Sequence, residues 1–300
     1  MIDFRKIFND NARSKIMYGL SFLPSPFYLK LFYFSTTGKR LNLKNPVGYN
    51  EKLQWLKLHN QNTNYSSLVD KIAVKDIINK KLGPGYTIKT LGYWDSFDKI
   101  DFSSLPESFV LKCNHDSGST KIIKNKSKLN QNKLLELQKF FNNRLKKDFF
   151  YAGREYPYKG IKPYIMAEEF IENKNSKSKN IEDYKFFCFN GIPKILYVAT
   201  DRFTDLRWTF FDMNFKRLNI INHHPNSSRY IPKPKNFDTM IEIATKLSKG
   251  IKNVRIDLYE IDNKIYFGEY TFFHGGGFRL FFPEEWELKL GKWLNLESDL

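Results

Sequence analysis

The stretch VRIDLYEIDNKIYFGEYTFFHGGGF, Val254 to Phe278, decides how the chain is read. Its first part alternates as a strand does: Val254, Ile256 and Leu258 fall on one face, and Arg255, Asp257 and Tyr259 on the other. Asp262-Asn263 is a turn signal, and Ile265 to Thr271 reads as the returning strand. A loop of three residues, 262 to 264, pairs position 261 with 265, which sets Asp257 opposite Glu269 and Arg255 opposite Thr271. A loop of two residues would send the carboxylates to opposite faces. Facing carboxylates repel unless a cation joins them, and hard oxygen ligands on adjacent strands suit Mg2+ carrying nucleotide phosphates.

Upstream, three segments bear on the same chemistry. In FVLKCNHDSGST, Phe109 to Thr120, Lys112 sits near the end of an apolar strand, and the amides around Ser117, Gly118 and Ser119 could wrap phosphate oxygens, although many such loops are plain turns. A helix over 68–81 begins near Asp70-Lys71, with Lys75 one turn on, and projects a lysine as a point charge; a solvated helix lysine is the bland alternative. In MAEEFIE the segment Glu168, Glu169, Phe170 and Ile171 has the form of a strand entering a hinge whose backbone could bond adenine, or of an edge strand with exposed glutamates.

With 300 residues, 41% of them hydrophobic, the chain can bury a substantial core. The net charge of +17 favours anionic partners, but no clustered arginines or known module point to specific nucleic-acid recognition. Cys113 and Cys188 each lie in an apolar alternating run and read as buried thiols of a reducing compartment. Residues 16–34 are the most apolar, yet Pro24, Pro26 and Lys30 interrupt them; we expect a cytoplasmic protein without a membrane-spanning helix. This aromatic and basic segment either packs on the protein's own core or touches the inner membrane face. The expected organisation is a helical region over 1–66, one lobe over 67–171 and a second over 172–300, with a Lys/Asn/Ser-rich connection near 172–182. Hairpins dominate the last part, the clearest being YKFFCF-NG-IPKILYV, and one helix at 238–249 interrupts them. Hairpins with segregated helices argue an α+β class. His223-His224, followed by Pro225, reads as a loop before it reads as a metal pair.

Taken in order, D-K on a helix, K before a small-residue loop, an acidic hinge, R-x-D, E-x-T and a glycine turn resemble the ATP-grasp superfamily. NEKLQWLKL, LVDKIAVKD, LGYWDSFDKIDFSSLPESFVLKCNH, YAGREYPYKGIKP, EDYKFFCFNGIPKI and the VRIDLY to PEEWELKLG tail are similar to its TupA-like branch, linked to teichuronopeptide biosynthesis. The resemblance implies two α+β lobes on antiparallel sheets gripping a nucleotide between them, with a helical N-terminal cap. It implies ATP and Mg2+ as cofactors: Lys71, Lys112, Ser117, Gly118 and Ser119 at the phosphates, Glu168, Glu169, Phe170 and Ile171 at the adenine, Asp183 or Glu172 at the ribose and Lys185 at the nucleotide. Asp257, Glu269 and Thr271 would hold the metal, Arg255 and Lys112 would be catalytic, and His274, Gly275, Gly276, Gly277 and Arg154 would meet substrate. The chain departs from the branch at Asp116, where glycine is usual, and at His274, where proline is; Thr271 replaces an asparagine common in the superfamily.

The implied reaction moves the ATP γ-phosphoryl group to a carboxylate and joins the activated acid to an amine. The implied partners are an acidic saccharide or uronic-acid precursor and an amine such as an amino acid. A glycosyltransferase and a silent saccharide-binding protein are the competing readings.

Overall fold

Alternation of side chains along the strands gives this chain two antiparallel sheets, each with one apolar face and one face that mixes charged residues with apolar ones. The computed structural model describes residues 17–172, 181–201 and 204–297; most of the Lys/Asn/Ser-rich connection lies outside them. The helices are α1 (Ser25–Thr37), α2 (Tyr49–His59), α3 (Tyr65–Val69), α4 (Ala73–Leu82), α5 (Gln131–Leu145), α6 (Phe150–Gly153), α7 (Phe237–Ser248) and α8 (Glu284–Trp293). The strands are β1 (Thr90–Trp94), β2 (Phe109–Cys113), β3 (Lys121–Ile123), β4 (Ile165–Glu169), β5 (Asp183–Phe189), β6 (Ile192–Thr200), β7 (Arg207–Asp212), β8 (Asn253–Ile261) and β9 (Lys264–Thr271). The chain divides into two compact units, one of residues 63–150 and 156–172, the other of 1–62, 151–155 and 173–300.

The smaller unit is a four-stranded antiparallel sheet in the order β1-β4-β2-β3. Phe109, Leu111, Cys113, Ile165 and Ala167 share its oily face with Leu137 and Phe141 of α5. Asn130 opens α5 by accepting the Lys133 amide at 3.0 Å. The helix expected over 68–81 is two helices, α3 and α4, broken at Asp70. The break has a local cause: the Asp70 carboxylate accepts the amides of Ile72 at 2.8 Å and Ala73 at 3.4 Å, starting a fresh helix. Strand β4 is interior, so the edge-strand reading of MAEEFIE does not hold.

The larger unit is a five-stranded antiparallel sheet, β7-β6-β5-β8-β9. Asn190 and Gly191, at φ 48° and 78°, make the tight turn between β5 and β6. Helix α7 covers one face, where Phe186 meets Phe237 at a centroid distance of 5.9 Å. On the other face Tyr49 of α2 packs edge-on against Phe187, Phe189 and Phe281. The helical N-terminal region, read from sequence as a piece of its own up to residue 66, therefore groups with the C-terminal sheet, and only as far as Asn62. Residues 151–155 join it: Tyr28 donates to the Ala152 carbonyl at 3.0 Å.

The deciding hairpin differs from expectation in an instructive way. Ile261 pairs with Lys264, so the turn has two residues, Asp262 and Asn263, both at positive φ. That alone would separate the acids. A β-bulge restores them: Leu258 pairs with Phe267 but Asp257 with Glu269, leaving Gly268 as the extra residue. Arg255 then faces Thr271. A Cβ on Gly268 would stand 2.9 Å from Cε2 of Tyr259 and 3.1 Å from the Asp257 carbonyl oxygen, so a side chain must push the bulge open. Gly268→Ala should cost about 1–3 kcal/mol of stability and Gly268→Val more, read as a shift in the urea midpoint. An unchanged midpoint for both would mean that the bulge does not need glycine.

Candidate functional site

Because β5, β8 and β9 lie side by side, one face of the larger sheet collects Asp183, Lys185, Arg255, Asp257, Glu269 and Thr271. Lys185 faces Asp257 across the ladder; its ammonium bonds the Asp257 carboxylate and lies 2.6 Å from Asp183. Arg255 grips Asp257 with both arms, Nε to Oδ1 at 2.6 Å and Nη2 to Oδ2 at 2.8 Å. The same Nη2 reaches Glu269 at 3.2 Å and the Thr271 hydroxyl at 3.0 Å. Asp257 and Glu269 thus share one guanidinium nitrogen, the shared spot that facing carboxylates require. Burial works against the Lys185 charge, but Asp183 and Asp257 outweigh it and raise its pKa. Burial likewise opposes the Arg255 charge, and Asp257 leads the carboxylates that hold it protonated.

His274 does not present itself as a substrate contact: it is buried and orients Arg255. Its Nδ1 takes a hydrogen bond from Arg255 Nη1 at 2.7 Å, while Nε2 donates to Asn222 Oδ1 at 2.8 Å, which fixes the neutral tautomer. Burial first, then Arg255, Arg279 and Lys185, push the imidazole well below its usual range. Asn222 is held by donating to the carbonyls of Arg279 and Leu280 at 2.9 and 3.0 Å. No pattern in the sequence singles it out.

The glycine turn is left-handed throughout, with φ of 57°, 66° and 67° at Gly275, Gly276 and Gly277. Gln54 donates to the Gly276 carbonyl at 3.1 Å, and Lys57 to the same oxygen at 2.7 Å. Helix α2 therefore pins the turn that follows β9. Asp183 is fully buried beside Lys185, a positioning place and not one open to a ribose. Arg154 is also buried; it stacks on Tyr28 and donates to the carbonyls of Leu20, Ser21 and Leu23 at 2.9–3.2 Å, so it clamps backbone and is not placed to meet a saccharide.

In the smaller unit the lysines divide their work differently from expectation. Lys112 lies 2.5 Å and Lys75 2.6 Å from the two oxygens of Glu168. Lys75 also donates to the Ile88 carbonyl at 2.6 Å and the Thr90 hydroxyl at 2.7 Å. Lys71, in the break before α4, instead donates to the Asp116 carbonyl and so braces the small-residue loop. Lys75 lies in the first turn of α4, just beyond the break that holds Lys71. Burial resists ionisation of Glu168, but Lys112 and Lys75 together hold its pKa below the usual range.

Within the loop, Ser119 donates to Asp116 at 2.6 Å and accepts the Cys113 amide at 2.8 Å. Arg144 lies 3.0 Å from Asp116 and bonds the Ser117 carbonyl at 2.8 Å. The Asp116 carboxylate is thus buried and turned into the protein, which removes the repulsion its position would otherwise create for an anion at the loop. Gly118, at φ 79°, supplies the left-handed step. In the hinge segment, the Glu169 amide donates to the Lys89 carbonyl at 3.0 Å, so it is spent within the sheet. Phe170 and Ile171 are half-buried. His224 packs edge-on against Trp208, and its amide donates to the Asn222 carbonyl, as a loop residue's would.

Asp257, Glu269 and Thr271 offer only oxygens, the donor set a magnesium ion takes. Among the described residues no three His, Cys, Asp or Glu side chains form a metal cage. Two carboxylates with the remaining positions left to water and phosphate is the usual protein share for magnesium, and the donor chemistry of these residues matches it, with Arg255 and Lys185 on the Asp257 oxygens in this structure.

Two antiparallel α+β units of this make, with R-x-D and E-x-T strands paired in register, define an ATP-grasp architecture. The chain belongs to the TupA-like ATP-grasp family, whose description matches residues 51–295. No curated protein matches it. Among solved structures it is similar to D-alanine–D-alanine ligase from Bacillus anthracis, with 17% identity, 68% of this chain and 56% of that chain covered, and a TM-score of 0.38. The D-alanine–D-alanine ligase of Helicobacter pylori is 16% identical, with 76% and 61% covered and a TM-score of 0.35. The ATP-grasp ligase PsnB complexed with a phosphomimetic variant of minimal precursor, Mg and ADP is 10% identical, with 82% and 65% covered and a TM-score of 0.41. The matched region thus spans little more than half of the Bacillus ligase.

The state of His274 has a measurable signature. Unfolded, an imidazole titrates at about 6.5, so at lower pH the unfolded chain takes up a proton that the folded chain refuses. The stability His274 contributes is full above that pH and lost as pH falls below it. His274→Gln should therefore flatten stability between about pH 5 and 6.5, measured by denaturation across that range. Parallel curves for variant and parent would show an imidazole that protonates freely in the fold.

Proposed function

We propose that the protein is an ATP- and Mg2+-dependent carboxylate–amine ligase, joining an amino acid or another amine to a uronic acid of a surface polysaccharide or of its precursor. The observation that carries the reading is the Arg255 guanidinium bridging Asp257, Glu269 and Thr271 on one sheet face, with Lys185 beside it. A carboxylate is a poor electrophile until an oxygen leaves as phosphate, so the γ-phosphoryl group moves to a carboxylate oxygen and ADP departs. The amine nitrogen then attacks the acyl carbon, phosphate leaves, and the nitrogen loses a proton.

Asp257, Glu269 and Thr271 would hold magnesium, which supplies positive charge against phosphate oxygens when bound. Lys185 and Arg255 add fixed cations that need no reorganisation as negative charge grows in transfer. In the smaller unit Lys112 and Lys75 are the cations with the strongest claim on nucleotide phosphate, and Glu168 holds both in place. The sequence resemblance to the branch linked to teichuronopeptide biosynthesis and the net charge of +17 support an acidic saccharide as the carboxylate.

ADP release should require both a uronic acid and an amino acid. Asp257→Asn and Lys112→Ala should each lower it by about 10²–10³-fold, Lys75→Ala by a similar factor and Lys71→Ala by less than about tenfold. ADP release that ignores the amine, or Asp257→Asn turning over like the parent, would overturn the assignment.

A further inference from the structure

Helix α1, SPFYLKLFYFSTT, is apolar on two opposite sides. One side is explained: Tyr28, Leu29, Phe32 and Tyr33 are buried, in a cluster with Leu41 and Phe278. The other is not. Phe27, Leu31 and Phe34, spaced four and three apart and so on one face, are 71%, 49% and 56% exposed. Phe22, just ahead of the helix, is 77% exposed. Large apolar side chains scattered singly over a surface need no explanation, but a stripe of them on one helix does.

The stripe is not the product of a loosely attached segment. Tyr28 bonds the Ala152 carbonyl, and Arg154 stacks on the Tyr28 ring while holding the carbonyls of Leu20, Ser21 and Leu23. Thr36 and Thr37 close the last turn onto Phe32 and Tyr33, and Gly38 ends it in the left-handed conformation. Phe27, Leu31 and Phe34 are therefore presented outward by a helix fixed on its other side.

Charge selects the partner. Between Met17 and Asn50 there is no aspartate or glutamate, whereas Lys30, Lys39, Arg40 and Lys44 all fall there. Lys30 lies in the exposed face itself, and Arg40 and Lys44 are exposed just beyond the helix; Lys39 pairs with Glu284. A 13-residue helix is far too short to cross a bilayer, and no helix among the described residues is long and apolar enough to do so. An exposed apolar helix face that carries a lysine and is followed by exposed basic residues is instead the form that lies in the plane of an anionic bilayer surface, its rings among the acyl chains and its lysine at the headgroups.

We propose that Phe27, Leu31 and Phe34, with Phe22 and the basic residues around them, dock this protein on an anionic membrane surface. The inference does not rest on the ligase reading, and its test does not measure ligase activity. The full chain is centrifuged with vesicles of phosphatidylcholine alone and of phosphatidylcholine mixed equally with phosphatidylglycerol. The parent should sediment with the mixed vesicles and far less with the neutral ones. The triple variant Phe27→Ser, Leu31→Ser, Phe34→Ser should lose at least about tenfold in partitioning at an unchanged thermal midpoint, and Lys30→Glu should weaken binding to the mixed vesicles only. The proposal is overturned if the parent stays in solution with the mixed vesicles, or if the triple variant binds them as the parent does. It is equally overturned if light scattering shows a parent dimer that the triple variant dissolves while neither binds vesicles, since the face would then cover a second copy.

Discussion

Two buried cations on one sheet face, Lys185 and Arg255, set the terms for the larger unit. A buried charge is tolerable only where opposite charge and hydrogen bonds meet it, so Asp183, Asp257, Glu269 and Thr271 must all point the same way. Sheet register alone can deliver that. It delivers it through an irregularity: the bulge at Gly268 cancels the one-residue offset of a two-residue turn. The chemistry of the face thus depends on a glycine that carries no chemistry.

The smaller unit solves the inverse problem, one buried carboxylate between two lysines. Glu168 and Lys112 lie on the charged face of the sheet because each alternates with apolar neighbours that fill the other face. Lys75 joins them from α4, and it can do so because Asp70 ends one helix and starts the next. Had the helix run unbroken, Lys71 and Lys75 would have stacked on one side. The break sends Lys71 to the Asn114–Ser119 loop and leaves Lys75 to the carboxylate.

Much of this was readable from residue patterns. Strand alternation placed Phe109–Cys113 and Arg255/Asp257, and Asn190-Gly191 announced its hairpin, because those signals are local. Asp257 facing Glu269 was reached through the wrong loop length, since nothing in a string of residues marks Gly268 as a bulge until the Tyr259 ring stands beside it. Arg154, which the resemblance implies at substrate, has as its partners the carbonyls of Leu20, Ser21 and Leu23, a contact across more than 130 positions. His274 and Asp183, which the resemblance implies at substrate and ribose, are buried supports. Polarity marks a residue as special without saying whether it faces a ligand or another side chain.

The chain's route has its own consequence for how the protein is made. The larger unit includes α1 and α2, is interrupted by the smaller one, takes back residues 151–155, and is completed by the strands from β5 onward. On the ribosome, Tyr28 must therefore wait for Ala152, and Tyr49 for Phe187 and Phe281, before α1 and α2 gain their partners. Helices α1 and α2 are made well before the residues that cover them, and their aromatic faces stay open to water in the interval.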